Sequence, residues 1–413
     1  MGELSRDQGR PLWGAEAAAG RHDHREAVSL TEVTALSGPV RSVYVHAPFC
    51  ARRCFYCDFA VTVSPNGDLT GWLKALEWEL RLVEEEGYFS PGEELKSLFV
   101  GGGTPSLLGP VAMAGLARVL GRARLKGSDL EWTAEANPES FNRPVAEGWA
   151  RAGVNRVSIG VQSFQSPTLR WLQRLHGPED PARAVERARA AGIGNVNVDL
   201  IFGLPRGVER DWGMELDSAL ALRVPHLSLY GLSAESGTPL ARAIDLGAVP
   251  APDEEGYREQ FITASERFTA EGYRHYEVSS FALPGFEARH NRSYWELAPY
   301  LGLGNSAHSF RAPRRRWNLR DWAAYREAFQ DRASPWESEE ELSAEASRLE
   351  RIWLGLRTDW GIRTCDIKPQ ARALVKGWVS QGQATVADGA VRLTPVGWLV
   401  LDHLVVELDS ALG

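Results

Sequence analysis

The chain has 413 residues, 44% of them apolar and 24% charged, with a formal net charge of −8. That length supports two or three domains with large cores, and the acidic balance argues against a nucleic-acid partner or a broad anionic-membrane surface. No apolar run approaches the ~18–20 residues of a membrane span. The first residues lack an apolar signal core and carry Glu3, Asp7, Glu16 and Asp23, so the cytoplasm is the expected location.

Residues 1–38 are rich in Ala, Gly and charge with weak periodicity, and read as a flexible N-terminal tail. From Arg41 onward, short β-branched runs alternate with amphipathic stretches. Strands are expected over 42–46, 96–100, 130–134, 156–160, 196–202 and 226–230, with helices between them, for example over 69–86 and 181–191. In the first helix Trp72, Leu76 and Leu80 recur at helical spacing. Such alternation implies parallel strands with right-handed crossovers. Six units in about 190 residues predict an α/β fold, an incomplete (β/α)6 barrel over residues 39–235.

The unusual residues fall at the strand ends. Cys50, Cys54 and Cys57 follow the first strand, and Gly101-Gly102-Gly103-Thr104-Pro105 follows the second. Glu135 follows the third, Gln162 the fourth, Asp199 lies within the fifth, and Tyr230 ends the sixth. All converge on the carboxyl-terminal mouth, where barrels of this kind place their chemistry.

Residues 236–335 read as a connector containing a strand-like stretch over 273–281 and the segment ARHNRSYWELAPYLGLGNSAHSF. A Glu-rich helix near 336–350 is expected to open a smaller carboxyl-terminal unit, 336–413. There, 383–394 carries Asp388-Gly389 between alternating residues, a tight-hairpin signal. Two helices and a hairpin predict an α+β, winged-helix-like domain. Its nearly balanced charge suits packing or a protein partner better than DNA.

Three of the four cysteines form C-x-x-x-C-x-x-C within VYVHAPFCARRCFYCDF. Thiolates are soft ligands for iron–sulfur clusters or for zinc. Three ligands on one loop can hold three irons of a cubane and leave the fourth open. Structural zinc wants four ligands, and His46 or Asp58 would have to supply the last. Cys365 stands alone and reads as a small buried hydrophobe. The GGGTP turn lets a ligand approach the backbone closely, and it lacks the Lys of a phosphate-binding loop.

The order YVHAPFCARRCFYC, GGGTPS, EANPES, RVSIGVQSF, LQRLHG, VDLIFGLP and HNRSYW resembles the HemN/HemW family of radical S-adenosylmethionine (SAM) proteins. The resemblance is strong over about residues 41–310 and weaker over the terminal unit, which is similar to the family's HemN-type carboxyl-terminal domain. It implies a [4Fe–4S] cluster on Cys50, Cys54 and Cys57 whose open iron chelates SAM. One electron from the cluster then cleaves SAM to a 5′-deoxyadenosyl radical. By the same resemblance Tyr44 and Tyr56 flank cluster and SAM, and Gly102, Gly103 and Thr104 meet the methionine moiety. Glu135 hydrogen-bonds a ribose hydroxyl, Gln162 and Asp199 contact the nucleoside, and Arg174 pairs with the SAM carboxylate.

Two branches of that family differ in function. One comprises oxygen-independent coproporphyrinogen III oxidases of porphyrin biosynthesis. The other comprises haem-binding chaperones that deliver haem to haem proteins of the respiratory chain. Oxidases carry a fourth Cys two positions after the third, where this chain has Phe59, and the Cys57-Asp58-Phe59 ending is what HemW-like members show. The resemblance thus points to the chaperone branch and away from coproporphyrinogen oxidation. His290, in His290-Asn291-Arg292-Ser293-Tyr294-Trp295, is similar to a proposed haem ligand of that branch. His308, His275 and His176 are further candidates, and Arg311, Arg314, Arg315, Arg316 and Arg320 could meet haem propionates or form a solvated face. Homodimerisation and peripheral membrane association stay open on the sequence.

Overall fold

Val43, Val45, Val100, Val157, Ile159, Val196 and Val198 are all fully buried, as expected of strands covered on both faces. The structure, a computed structural model, describes residues 27–30, 38–251, 253–331 and 333–413. These valines and Ile159 lie on β1 (Ser42–Ala47), β2 (Ser97–Gly102), β4 (Arg156–Gln162) and β5 (Asn195–Phe202). With β3 (Glu131–Ala136) and β6 (His226–Gly231) they pair in parallel, in chain order. The six-unit parallel barrel is therefore present, and β2, β3 and β4 run two residues further toward the mouth than expected. Gly101 and Gly102, for example, still pair with His46 and Ala47.

Helices Leu69–Glu85, Ala112–Leu120, Arg143–Ala152, Asp180–Ala190 and Trp212–Ala221 return the chain outside the sheet. The first begins where the Asp68 side chain accepts from Gly71 N at 2.9 Å, an N-cap. It buries Trp72, Ala75, Leu76, Leu80 and Val83 as one stripe, and Trp72 Nε1 donates to the His46 carbonyl at 2.8 Å, tying it to β1.

Residues 236–335, expected to be a connector, extend the same sheet at both edges. β7 (Arg274–Glu277) and β8 (Ser280–Ala282) join beyond β6. β9 (Tyr300–Leu303) pairs in parallel with β1, followed by β10 (His308–Arg311), β11 (Arg314–Asn318) and β12 (Trp336–Glu341). The order across the twelve strands is β12-β11-β10-β9-β1-β2-β3-β4-β5-β6-β8-β7.

The Glu-rich segment corrects one expectation, for 336–341 is a strand and not the start of a helix. The physical reason is its neighbour: Arg314, Arg315 and Arg316 stand opposite Glu341, Glu340 and Glu339, and opposed charges stabilise such a ladder. The helix starts only at Ala344, where Ser343 Oγ accepts from Ala346 N at 3.1 Å.

The carboxyl-terminal unit packs helices Ala344–Arg357, Arg372–Ser380 and Leu401–Leu412 with a three-stranded antiparallel sheet of Ile362–Arg363, Ala390–Leu393 and Ala384–Ala387. The expected hairpin turns at Asp388 and Gly389, with φ of 50° and 73°, the doubly positive geometry of a type I′ turn. Ala27–Leu30, inside the segment read as a tail, lies along this sheet. Val28 N donates to the Gly361 carbonyl at 2.9 Å, and Arg363 N to that of Val28 at 3.1 Å. Residues 1–26 and 31–37 of that reading lie outside the described residues. Among the described residues no helix is long and apolar enough to cross a membrane.

Candidate functional site

After β1 the chain forms a two-residue strand, Phe49–Cys50, that pairs in parallel with Thr62–Val63. Thr62 N donates to the Pro48 carbonyl at 2.7 Å and Ser64 N to that of Cys50 at 2.9 Å, closing the loop that carries all three cysteines. A tight turn inside it bonds Cys57 N to the Cys54 carbonyl at 3.1 Å. The GGGTP turn then fastens the loop to β2: Gly103 N donates to the Ala47 carbonyl at 2.8 Å and Thr104 N to the Phe49 carbonyl at 2.7 Å. A Cβ on Gly103 would lie 2.7 Å from both of those oxygens, so the fastening requires glycine.

The three thiols are free and half-buried, whereas Cys365 is exposed, contrary to its reading as a buried residue. Cys50 Sγ lies 3.4 Å from Thr104 Oγ1, and Arg174 Nη1 donates to Cys54 Sγ at 3.8 Å. Burial pushes the Cys50 thiol up to about 11, against the lowering effect of Thr104, and raises Cys57 as well. Thiolates in such a place call for a bound cation, which the iron of a cluster or a zinc ion would supply. His46 does not complete a zinc site: its Nδ1 meets Tyr44 Oη and its Nε2 the Ala60 carbonyl, each at 3.0 Å. Among the described residues no three or more His, Cys, Asp or Glu side chains, the three cysteines included, are gathered closely enough to hold a metal ion as they stand.

The loop borders a cavity of about 480 Å³ at the barrel mouth. Cys50, Cys54, Cys57, Tyr56, Gly102, Gly103, Thr104, Glu135, Gln162, Arg174 and Asp199 all line it. Of the residues that the resemblance assigned to cluster, SAM or haem iron, Tyr44 and His290 do not.

Glu135, near the end of β3, accepts from Gly102 N at 3.1 Å. Asp199 accepts from Ser158 Oγ at 2.9 Å and Asn197 Nδ2 at 2.7 Å. Burial, reinforced by the Asp199 charge, pushes Glu135 up to about 8, and burial raises Asp199 too. Two desolvated carboxyls facing one space suit a ligand rich in hydroxyl or ammonium donors. Gln162 ends β4 with φ of 67°, where the register to β5 slips between Gly160 and Gln162. That bulge turns the strand end into the mouth.

Arg174 is held just beyond helix Ser166–Trp171 by its own N–H, which bonds the Leu169 carbonyl at 2.9 Å. Its Nη2 donates to Asn137 Oδ1 at 2.7 Å and to the Gly160 carbonyl at 2.8 Å, while its buried Nε has no hydrogen-bond partner. Asn137 also donates from Nδ2 to Thr104 Oγ1 at 3.3 Å, and it lines the cavity. Sequence reasoning missed it. The signal was its place in EANPES, two residues after Glu135 at a strand end.

Tyr44 sits on β1, its hydroxyl on His46 and its ring stacked on Phe99 at 6.1 Å, and it is not among the residues that line the cavity. His290 stands further from the cavity. It is 1% exposed on helix Arg289–Trp295. Its Nδ1 meets Ser97 Oγ at 2.9 Å and its Nε2 meets Tyr294 Oη at 2.8 Å. Its backbone N–H donates to Glu131 Oε1 at 3.1 Å, and its ring stacks on Phe99. Ser97 and Glu131 begin β2 and β3, so the histidine plugs the end of the barrel opposite the cavity. Neither ring nitrogen is free for iron, and burial depresses its pKa to about 3.

His275 is likewise committed through both nitrogens, to Ser265 and Val278, while His176 bonds the Val161 carbonyl through Nε2 and has Glu139 3.5 Å from its Nδ1. His308 is exposed and stacked on Trp317. In the arginine run, Arg315 pairs with Glu340 and Glu350 and Arg316 with Glu86. Those two tie β11 to β12, to helix Ala344–Arg357 and to the end of helix Leu69–Glu85.

Residues 44–217 match the Radical SAM superfamily. The chain is similar to the heme chaperone HemW of Mycobacterium tuberculosis, 34% identical over 92% of this chain and 97% of that protein. It is 38% identical to the Escherichia coli heme chaperone HemW over 65% of this chain and 70% of that one. The bovine radical S-adenosyl methionine domain-containing protein 1, mitochondrial, is 33% identical over 90% and 88%. Among solved structures, coproporphyrinogen III oxidase (HemN) from Escherichia coli superposes with a TM-score of 0.75 at 22% identity, over 91% of each chain. That likeness is one of fold.

Proposed function

Because the chain belongs to the HemW family of radical SAM proteins, we propose that it is a haem chaperone holding a [4Fe–4S] cluster and SAM at the barrel mouth. The observation that carries this reading is the convergence of Cys50, Cys54 and Cys57 with Gly102, Glu135, Gln162, Arg174 and Asp199 on one cavity.

The three cysteines ligate three irons, and Tyr56 walls the loop. A bound cluster with one open iron supplies a chelation site for SAM and an electron. Gly102, Gly103 and Thr104 offer close backbone to the methionine part. Glu135 and Asp199 accept from nucleoside hydroxyls, Gln162 contacts the same end, and Arg174 meets the carboxylate. Haem is the cargo, passed to haem proteins of the respiratory chain from the cytoplasm. His290 is assigned to the core and not to the haem iron, since both its nitrogens are engaged.

The test is a haem titration of anaerobically reconstituted protein. A [4Fe–4S] spectrum together with a Soret band shifted from that of free haem is expected. Absence of specific haem binding overturns the chaperone reading and leaves the radical SAM assignment standing. Coproporphyrinogen III, offered with SAM and reductant, should be returned unchanged, because Phe59 replaces the oxidases' fourth Cys. Turnover of it would move the chain to the oxidase branch.

A further inference from the structure

With His290 in the core, a haem-carrying chain needs another surface, and the cavity mouth has the chemistry for one. Phe59, Leu175 and Tyr230 all line the cavity, yet they are 55%, 51% and 45% exposed. They come from three separate places: the cysteine loop, the turn after helix Ser166–Trp171, and the end of β6. Large apolar side chains left in water around one opening mark a ligand surface, because each forgoes the ~25 cal/mol per Å² that burial contributes. The same mouth carries two exposed guanidinium groups, Arg52 and Arg53.

We infer that haem binds across this mouth, its macrocycle against Phe59, Leu175 and Tyr230 and its two propionates toward Arg52 and Arg53. The inference rests on the chaperone reading above. A porphyrin is a flat apolar disc with two carboxylates at one edge. Aromatic and branched side chains cover such a face, and guanidinium forks pair with carboxylates. The deeper part of the cavity, with Glu135 and Asp199, stays available to a smaller donor-rich ligand. Haem on the rim then covers whatever occupies that floor, so release of SAM is slower while haem is bound. The position that carries the fourth Cys in the oxidases is here a ring that packs on the cargo.

The experiment uses the full chain, reconstituted anaerobically and titrated with haemin. Leu175→Asp lies outside the cysteine loop and should leave cluster assembly intact, which iron and sulfide analysis checks, and Phe59→Asp and a double Arg52→Glu, Arg53→Glu variant accompany it. Each should weaken haem binding by about tenfold or more, while Val386→Asp, an equally exposed apolar site on the distant hairpin, should not. Exchange of labelled SAM should slow when haem is present. If wild-type protein binds haem and Leu175→Asp binds it equally well, or if haem leaves SAM exchange unchanged, the mouth is not the haem site and the chaperone reading survives. If wild-type protein takes up no haem, both fall.

Discussion

Replacing Gly103 with Ala should loosen the cysteine loop from the barrel. The new Cβ would stand 2.7 Å from the Ala47 and Phe49 carbonyl oxygens and 2.8 Å from Pro48 C, where ordinary contact begins at 3.4 Å. The strands must therefore part by about 0.7 Å, the difference between those values. Both oxygens are acceptors, of Gly103 N at 2.8 Å and Thr104 N at 2.7 Å. Parting by that amount carries both bonds to the limit of hydrogen-bonding distance. Two backbone bonds at about 0.5–1.5 kcal/mol each give a loss of about 1–3 kcal/mol, the range typical of overpacking. Urea unfolding of the apoprotein reads that loss. Iron and sulfide analysis after reconstitution reads the consequence, since Phe49 directly precedes Cys50. Gly194→Ala, with nothing within 4 Å of its Cβ, is the neutral control. A Gly103→Ala protein as stable as that control, with a full complement of iron and sulfide, would refute the argument that this turn holds the loop.

Other outcomes follow from the same geometry. Ala in place of Cys50, Cys54 or Cys57 should abolish the cluster spectrum, whereas Cys365→Ala, exposed and remote, should leave it intact; stoichiometric zinc without sulfide would contradict this. Arg174→Ala should weaken SAM binding by about 1.5–3 kcal/mol, the scale of a hydrogen bond to a charged group, and calorimetry giving an unchanged affinity would remove Arg174 from the site. Glu135 is raised from 4.5 to about 8 by burial, so between those values the folded state holds a proton that the unfolded state has released. Its contribution is therefore present below pH 4.5 and lost as pH rises through 8. Glu135→Gln should flatten that part of the stability profile of the apoprotein, and an identical profile would show that the carboxyl is ionised throughout. His290→Ala should destabilise the fold by about 1–3 kcal/mol, because it leaves Ser97 Oγ and Tyr294 Oη without their partner; a melting temperature equal to that of the unchanged protein would argue against its core role.

What the sequence by itself determined is local or periodic. Most of the barrel strands are legible because Val43, Val45, Val157, Val196 and their neighbours are buried on both faces of one sheet, so those strands are short runs rich in β-branched and apolar residues. The cysteine spacing needs no tertiary information, because three ligands on one loop are already neighbours. The cavity lining was readable for a related reason: in a parallel barrel every strand end faces the same mouth, so Glu135, Gln162 and Asp199 must converge once the strands are assigned. Tertiary structure alone decided the rest. Trp336–Glu341 carries a helix-forming composition but is a strand, because the arginines opposite it come from β11. β9 closes on β1, with Tyr300 beside Ser42, a pairing that no local pattern announces. For His290 the adjacent Tyr294 and Trp295 suggest a ligand surface. Its fate was set by Ser97 and Glu131, 193 and 159 positions away, which hold it in the core by satisfying the ring nitrogen and the backbone N–H. A side chain's type can be read from its neighbours in sequence, but which of its atoms remain free depends on neighbours in space.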